Sequence, residues 1–318
     1  MQQMRAEYSV VIPAFNSERY LGAALASVAR QSVAPSQVIV VDDGSTDGTS
    51  SIARLAGATL LSFPASRGPS AARNLAVSQS SASLLAFLDA DDEWRPDHAA
   101  QLLGAFADSS VVFAGSRVEK FGAESGTVGH DFATDGSTDL RDLLVTENPV
   151  IQSAVMLRRD AFVAAGGYDE AIRLSEDYDL WTRVAEVGRY FPVRAVTVRR
   201  RTHCGQVSQR NRGDLVRAWW NVRRRTVRRR LISASQFERA HLLQMLEKSA
   251  RLDVDWAIWT GDGAMLAIVR EELHTTDEEL GLGARLSPAG GLGQPALRLS
   301  QDVRCGSRSL LQHFQGQR

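Results

Sequence analysis

Val38-Ile39-Val40-Val41-Asp42-Asp43-Gly44-Ser45 is a β-branched apolar run that stops at two acids and a glycine. It reads as a buried strand running straight into a turn. The same pattern flanks it on both sides. Residues 8–12 form a short apolar run closed by Pro13, and residues 84–88 form a compact one closed by Asp89. Helical spacing lies between these runs. Residues 20–29 put Leu21, Leu25 and Val28 on one face, with Ser17 as the expected cap. Residues 49–55 and 70–78 read as further helices, and residues 58–63 as another strand. Strands alternating with helices predict an α/β fold with a mostly parallel central sheet covered on both faces. Ligands of such sheets bind beyond the carboxyl ends of the strands. Three polar clusters fall there: residues 13–16, 42–45 and 89–92.

Composition narrows the function classes. The chain has 318 residues, 44% of them hydrophobic and 23% charged, which fits a globular protein with a sizeable core. Thirty-seven basic and 37 acidic residues cancel, so the whole molecule has no field to steer it onto nucleic acid. Two cysteines, Cys204 and Cys305, supply neither a disulfide framework nor a four-ligand zinc site. No stretch of 18 apolar residues predicts a membrane-spanning helix, and residues 1–20 lack the apolar core of a signal peptide. A cytoplasmic protein is the default expectation, with peripheral contact on the inner face of the cell membrane left open.

Beyond the third polar cluster, residues 97–107 read as an amphipathic helix with Leu102, Leu103 and Phe106 inward. Residues 122–139, rich in Gly, Ser, Thr and Asp, read as a loop and a candidate lid. Residues 153–157 and 190–198 are expected strands, and residues 160–165 a short helix stopped by Gly166-Gly167. A helix over 178–187 starts among acids. The last third changes character. Residues 215–250 predict two helical segments and residues 256–274 another, followed by a Gly- and Pro-rich stretch and a loosely ordered tail. Residues 1–208 are therefore expected to be a catalytic domain, split near 115 into nucleotide and acceptor sides. Residues 209–318 are expected to be a mainly helical extension.

The clusters have a chemistry. Asp89-Ala90-Asp91-Asp92 sets three carboxylates in four positions, and a hard divalent cation relieves that repulsion. An acidic helix cap accounts for the same residues without a metal. Asp42 and Asp43 suit a turn, or a carboxylate that accepts a pyrimidine N–H or a ribose hydroxyl. A nicotinamide-binding site is disfavoured, because the glycine-rich first loop it needs is replaced by Pro13-Ala14-Phe15-Asn16. Within 175–181, Asp177 lies beside aromatic surface and could act as a general base with a raised pKa, with Glu176 as the alternate. Arg73 could neutralise a phosphate or hold an acid, and His203 could ligate a metal.

Five segments in this order resemble the family 2 glycosyltransferases, which have the GT-A fold. They are VVIPAFN (10–16), VDDGSTDG (41–48), GPSAARN (68–74), FLDADDEW (87–94) and EDYDLW (176–181). The resemblance runs from about residue 8 to 203. It implies an inverting, non-processive transfer of a sugar from a nucleotide diphosphate sugar, UDP-linked by preference, to an acceptor hydroxyl of a glycan, glycolipid or protein. It implies that Pro13, Ala14, Phe15, Asn16, Asp42 and Asp43 line the nucleotide pocket. Asp89, with Ala90 and Gly68 nearby, meets ribose or donor sugar, and Arg73 lies near the phosphates. Asp91, with Asp89 and His203, would hold Mn2+ or Mg2+, and Asp177 would be the catalytic base. The Gln-x-x-Arg-Trp signature of processive synthases is absent.

Two other classes fit less well. A sugar-phosphate nucleotidyltransferase would need a phosphate-cradling glycine-rich loop near the first strand. A non-catalytic carbohydrate-binding module or scaffold would not need the metal and base candidates. Thirteen arginines against one acid between residues 194 and 230 add a further expectation. Trp219, Trp220 and the arginines of 223–230 either touch an anionic membrane or form a solvated cationic face whose tryptophans pack inward. The second alternative is slightly favoured.

Overall fold

A computed structural model describes residues 7–129, 136–203, 212–283 and 285–286. The described residues up to Asp139 and from Pro149 to His203 form one unit. Leu140–Asn148 joins the described residues after His203 in a second. The expected acceptor side thus loses a nine-residue segment to the helical region.

The first unit is built on one nine-stranded sheet. Its strands are β1 (Tyr8–Ala14), β2 (Gln37–Asp42), β3 (Thr59–Ser62), β4 (Leu84–Phe87), β5 (Glu93–Trp94), β6 (Val111–Gly122), β7 (Gly126–Val128), β8 (Val155–Arg158) and β9 (Arg189–Thr202). The order is β3-β2-β1-β4-β8-β6-β9-β5, with β7 paired to β6. β3, β2, β1 and β4 run parallel, as the alternation predicts, and so do β6 and β9. β8 enters antiparallel to both β4 and β6, so the sheet is mixed. Helices α1 (Leu21–Ala29), α2 (Thr49–Leu55), α3 (Pro69–Gln79), α4 (His98–Leu103), α6 (Arg159–Ala164) and α7 (Glu176–Val184) belong to this unit. Val10, Ile12, Val40 and Ala86 are fully buried in a core they share with Leu21, Leu25 and Leu102.

Some local expectations shift. Ser17 caps nothing with its side chain; its carbonyl accepts the Tyr20 and Leu21 N–H groups instead. The 97–107 segment breaks at Gly104 into α4 and a 3-10 turn. Within the expected 122–139 loop, β7 folds back on β6 and Thr138 bridges Tyr190. Residues 130–135, part of the suggested lid, and residues 287–318, which hold the suggested tail, lie outside the described residues.

The second unit consists of α5 (Leu143–Thr146) and three helices, Arg212–Leu231, Gln236–Trp259 and Gly263–Leu280. Trp220, Val227, Leu242, Leu246, Val269 and Leu273 form its core. Trp220 is 0% exposed. Arg223 is buried between Asp253 (2.5 Å) and the Thr146 carbonyl (2.7 Å), and Arg224 meets Glu272 at 2.6 Å. A buried charge persists only when paired, so these arginines serve the interior. That corrects the membrane reading of residues 219–230: Trp220, Arg223 and Arg224 are not available to lipid, while Arg225 and Arg228 remain exposed. No described helix is long and apolar enough to cross a membrane.

Candidate active site

The nucleotide side begins at the ends of β1 and β2, paired through Ala14 and Asp42. Gly44 takes φ +79°, and a Cβ there would lie 2.8 Å from the backbone at Ala65 and Ser66. Only glycine lets the turn approach that closely. The approach delivers Asp43, 4% exposed, to three donors. Its Oδ1 accepts from Arg67 N (2.7 Å), and its Oδ2 accepts from Ser66 Oγ (2.6 Å) and Gly68 N (2.9 Å). Asp43 is thus a clamp on the loop that starts α3, with little acceptor capacity left over for a base. Asp42 is similarly engaged, accepting from Ser45 N (2.9 Å) and the Ser50 hydroxyl. Asn16, in left-handed backbone at φ 46°, accepts from Thr46 N (3.0 Å) while its own N–H donates to Ser45 Oγ (2.9 Å). Phe15 is 52% exposed, an aromatic face open to a base. Pro13 lies half-buried in β1. Ala14 and Ala90 are members of the hydrophobic core, so they do not present side chains to a donor. Strand alternation turns Ala14 inward with Val10 and Ile12, and Ala90 is buried in the turn after β4.

The acidic centre is organised by Arg73. α3 carries it in buried, and its Nη2 donates to Asp89 Oδ1 (2.8 Å) while its Nη1 donates to Glu176 Oε1 (2.9 Å). Burial opposes its charge, but Asp89, Tyr168 and Glu176 more than reverse this and hold it firmly protonated. Tyr168 lies under the guanidinium at 5.3 Å, and its hydroxyl donates to Gln152 Oε1 at 3.0 Å. The neighbouring Asn74 side chain fixes the Tyr168 backbone through both its N–H (2.9 Å) and its carbonyl (2.9 Å). Glu176 is therefore a ligand of Arg73, which leaves Asp177 as the freer carboxylate. Ser175, before α7, takes φ 61° and so starts the helix in left-handed backbone. Asp177 accepts only its neighbour's N–H, from Tyr178, at 2.7 Å among the hydrogen bonds seen. Burial, then Glu176, push its carboxyl up to about 7.

The third cluster pairs Asp91 with His203. β5 and β9 are antiparallel with Glu93 opposite Arg199, and the Arg201 N–H donates to Asp92 Oδ1 (2.8 Å). This ladder carries His203 Nε2 to 3.1 Å from Asp91 Oδ2. Asp92 itself is buried, and burial with Asp91 and Asp89 alongside holds its carboxyl well above the usual range. Among the described residues no three His, Cys, Asp or Glu side chains converge into a metal cage. One carboxylate and one imidazole at this spacing still fit a divalent cation, because two ligands at about 2.1 Å and right angles lie roughly 3 Å apart, and donor phosphates supply the rest. Asp89 differs from expectation: its Oδ1 is committed to Arg73, and its N–H donates to Ser153 Oγ at 3.1 Å.

Ser66 carries no motif signal in the sequence, whereas residues 148–157, which hold Gln152 and Ser153, and Gly166-Gly167-Tyr168-Asp169 carry one only as segments that the resemblance assigns to the acceptor side.

Comparisons with known proteins bear on the family and the fold. The family model "Glycosyl transferase family 2" matches residues 9–164. The succinoglycan biosynthesis protein ExoU of Rhizobium meliloti is 32% identical over 203 residues, 58% of this chain and 58% of that protein. The pre-mycofactocin glycosyltransferase of Mycobacterium tuberculosis is 34% identical over 178 residues, 52% of this chain and 38% of that protein. The chain thus spans about two fifths to three fifths of the length of these relatives. Residues 1–349 of S. aureus TarS, solved in complex with UDP-GlcNAc, superimpose with TM-score 0.66 at 19% identity, covering 86% of this chain and 81% of that one. The mannosyltransferase PcManGT of Pyrobaculum calidifontis, solved with GDP-Man and Mn2+, gives TM-score 0.57 at 17% identity, covering 95% and 83%. The fold is that of the GT-A glycosyltransferases, and residues 9–164 are matched to glycosyl transferase family 2.

Proposed function

We propose that the protein transfers a sugar from a nucleotide diphosphate sugar, UDP-linked by preference, to an acceptor hydroxyl with inversion, in the assembly of a surface glycan or glycoconjugate. The observation that carries this reading is Asp177, a carboxyl raised to about 7 beside the Arg73–Asp89–Glu176 cluster. A base poised near the working pH suits removal of a proton from an attacking hydroxyl. What fold relatives bind, UDP-GlcNAc in one and GDP-Man with Mn2+ in another, supports the donor class.

The chain's own residues divide the work. The exposed Phe15 ring offers a stacking face for the base, and the Asp43 clamp holds the loop of residues 66–68 in place. Arg73 holds Asp89 and Glu176 in place, so that Asp177 keeps a fixed distance from both. Asp177 takes the acceptor proton as the oxygen attacks the anomeric carbon, and one displacement inverts it. Asp91 and His203 would hold a divalent cation, Mn2+ or Mg2+, which offsets charge on the leaving diphosphate when bound. No enzyme-linked intermediate is needed.

A screen of nucleotide sugars with Mn2+ tests this. Release of free nucleoside diphosphate supports glycosyl transfer. Release of pyrophosphate would instead indicate nucleotidyl transfer, and no turnover of any donor would leave a binding module.

A further inference from the structure

Tyr20, just ahead of α1, is surrounded by cationic and imidazole groups. The Arg201 guanidinium lies 4.9 Å from its ring centre and that of Arg19 lies 5.3 Å away. The His203 ring centre is 4.9 Å distant, tilted by 36°. Arg201 stands one residue before the end of β9 and His203 one residue past it, and both meet the Tyr20 ring. Arg201 is fixed independently. Its Nη2 donates to Glu93 Oε1 (2.8 Å), its Nε to the Asp91 carbonyl (3.1 Å), and its guanidinium also covers Phe121 at 4.4 Å. The Tyr20 ring therefore joins an anchored arginine to the imidazole that meets Asp91 at 3.1 Å.

We propose that Tyr20 is a positioning residue of the donor site: its ring holds the His203 imidazole against Asp91, so that the pair meets the donor's metal diphosphate already assembled. The inference deepens the glycosyltransferase reading and rests on it. The ring adds packing to the hydrogen bond His203 makes with Asp91, and any rotamer freedom the imidazole kept would have to be lost when a donor binds. Packing against a rigid aromatic ring removes that freedom, as supporting residues around metal ligands do elsewhere. The ring face, not the hydroxyl, does this, because the Tyr20 contacts described above are all made through the ring. Phenylalanine is therefore expected to replace it and leucine is not.

The test uses the full chain and calorimetric titration of Mn2+ in the presence of UDP. Tyr20→Leu is expected to weaken Mn2+ binding about tenfold, with Tyr20→Phe within about twofold of the native protein. Asp91→Asn and His203→Ala run beside them. Impaired binding in those two with native binding in Tyr20→Leu overturns the role of Tyr20 alone. Native binding in Asp91→Asn overturns the donor-site reading beneath it. A second measurement needs neither metal nor a folded leucine variant. The His203 ring resonances of the native protein, assigned with His203→Ala, are expected to show an aromatic ring-current shift that Tyr20→Phe retains. Unshifted resonances, or a Phe variant as impaired in Mn2+ binding as the Leu variant, would contradict the proposal.

Discussion

The Arg73 guanidinium spans Asp89 Oδ1 at 2.8 Å and Glu176 Oε1 at 2.9 Å, tying the turn after β4 to the start of α7, which lies 103 residues on from Arg73 itself. Two carboxylates from distant stretches are thus oriented by one buried, planar cation. Lysine carries the charge but not the fork. Arg73→Lys is expected to keep most of the stability and lose about 100-fold in turnover, because one acid is released from register. Arg73→Ala leaves the acids uncompensated and is expected to cost about 3 kcal/mol or more. Thermal unfolding read beside initial rates separates the two effects.

Asp177 gives a pH dependence with a definite sign. Its carboxyl titrates near 3.8 when unfolded and is raised to about 7 in the fold. The folded state therefore binds a proton more tightly, and this group's contribution to stability is full below the unfolded value and is lost as pH rises through about 7. Catalysis runs the other way, since only the carboxylate can accept a proton. The rate is expected to rise with pH through an acid limb near 7. Asp177→Asn is expected to flatten that part of the stability profile and to be more stable than the native protein at pH 8, as measured by denaturant midpoints.

Asp43 is a structural prediction as much as a functional one. Its carboxylate satisfies two backbone N–H groups and one hydroxyl at the mouth of α3. Asp43→Ala strands these donors at a buried position. It is expected to cost about 1–3 kcal/mol in urea denaturation and to weaken UDP binding, since the loop of residues 66–68 is no longer held. Unchanged stability would show that the clamp is not formed in solution.

Ser175 opens α7 with φ 61°, a region that disfavours every residue with a Cβ. Ser175→Gly is expected to relieve this and, after the added freedom of the unfolded chain, to gain roughly 0.5–1 kcal/mol. Turnover is expected to fall several-fold because Asp177 stands two residues on. A variant equal to the native protein in both respects would count against strain at this position.

Much of this was legible in the sequence, for physical reasons. β-branched runs that end in acids mark strand ends, so the parallel half of the sheet and the three polar clusters followed directly. The antiparallel entry of β8 did not, because residues 155–158 look the same in either direction. Motif spacing grouped Asp89 with Asp91, but only the fold shows that Asp89 turns to Arg73 while Asp91 turns to His203. Ala14 and Ala90 share a motif with pocket residues yet face the core. The arginine-rich helix read as surface because its partners Asp253 and Glu272 are 30 and 48 residues away.

The central claim is that Asp177 is the base in a sugar transfer whose donor is held elsewhere in the site. The direct measurement is the turnover number of Asp177→Asn, at saturating concentration, with whichever nucleotide sugar the native protein consumes. The account predicts a fall of at least about a thousandfold with near-native affinity for UDP and Mn2+. Turnover within tenfold of the native value would contradict it.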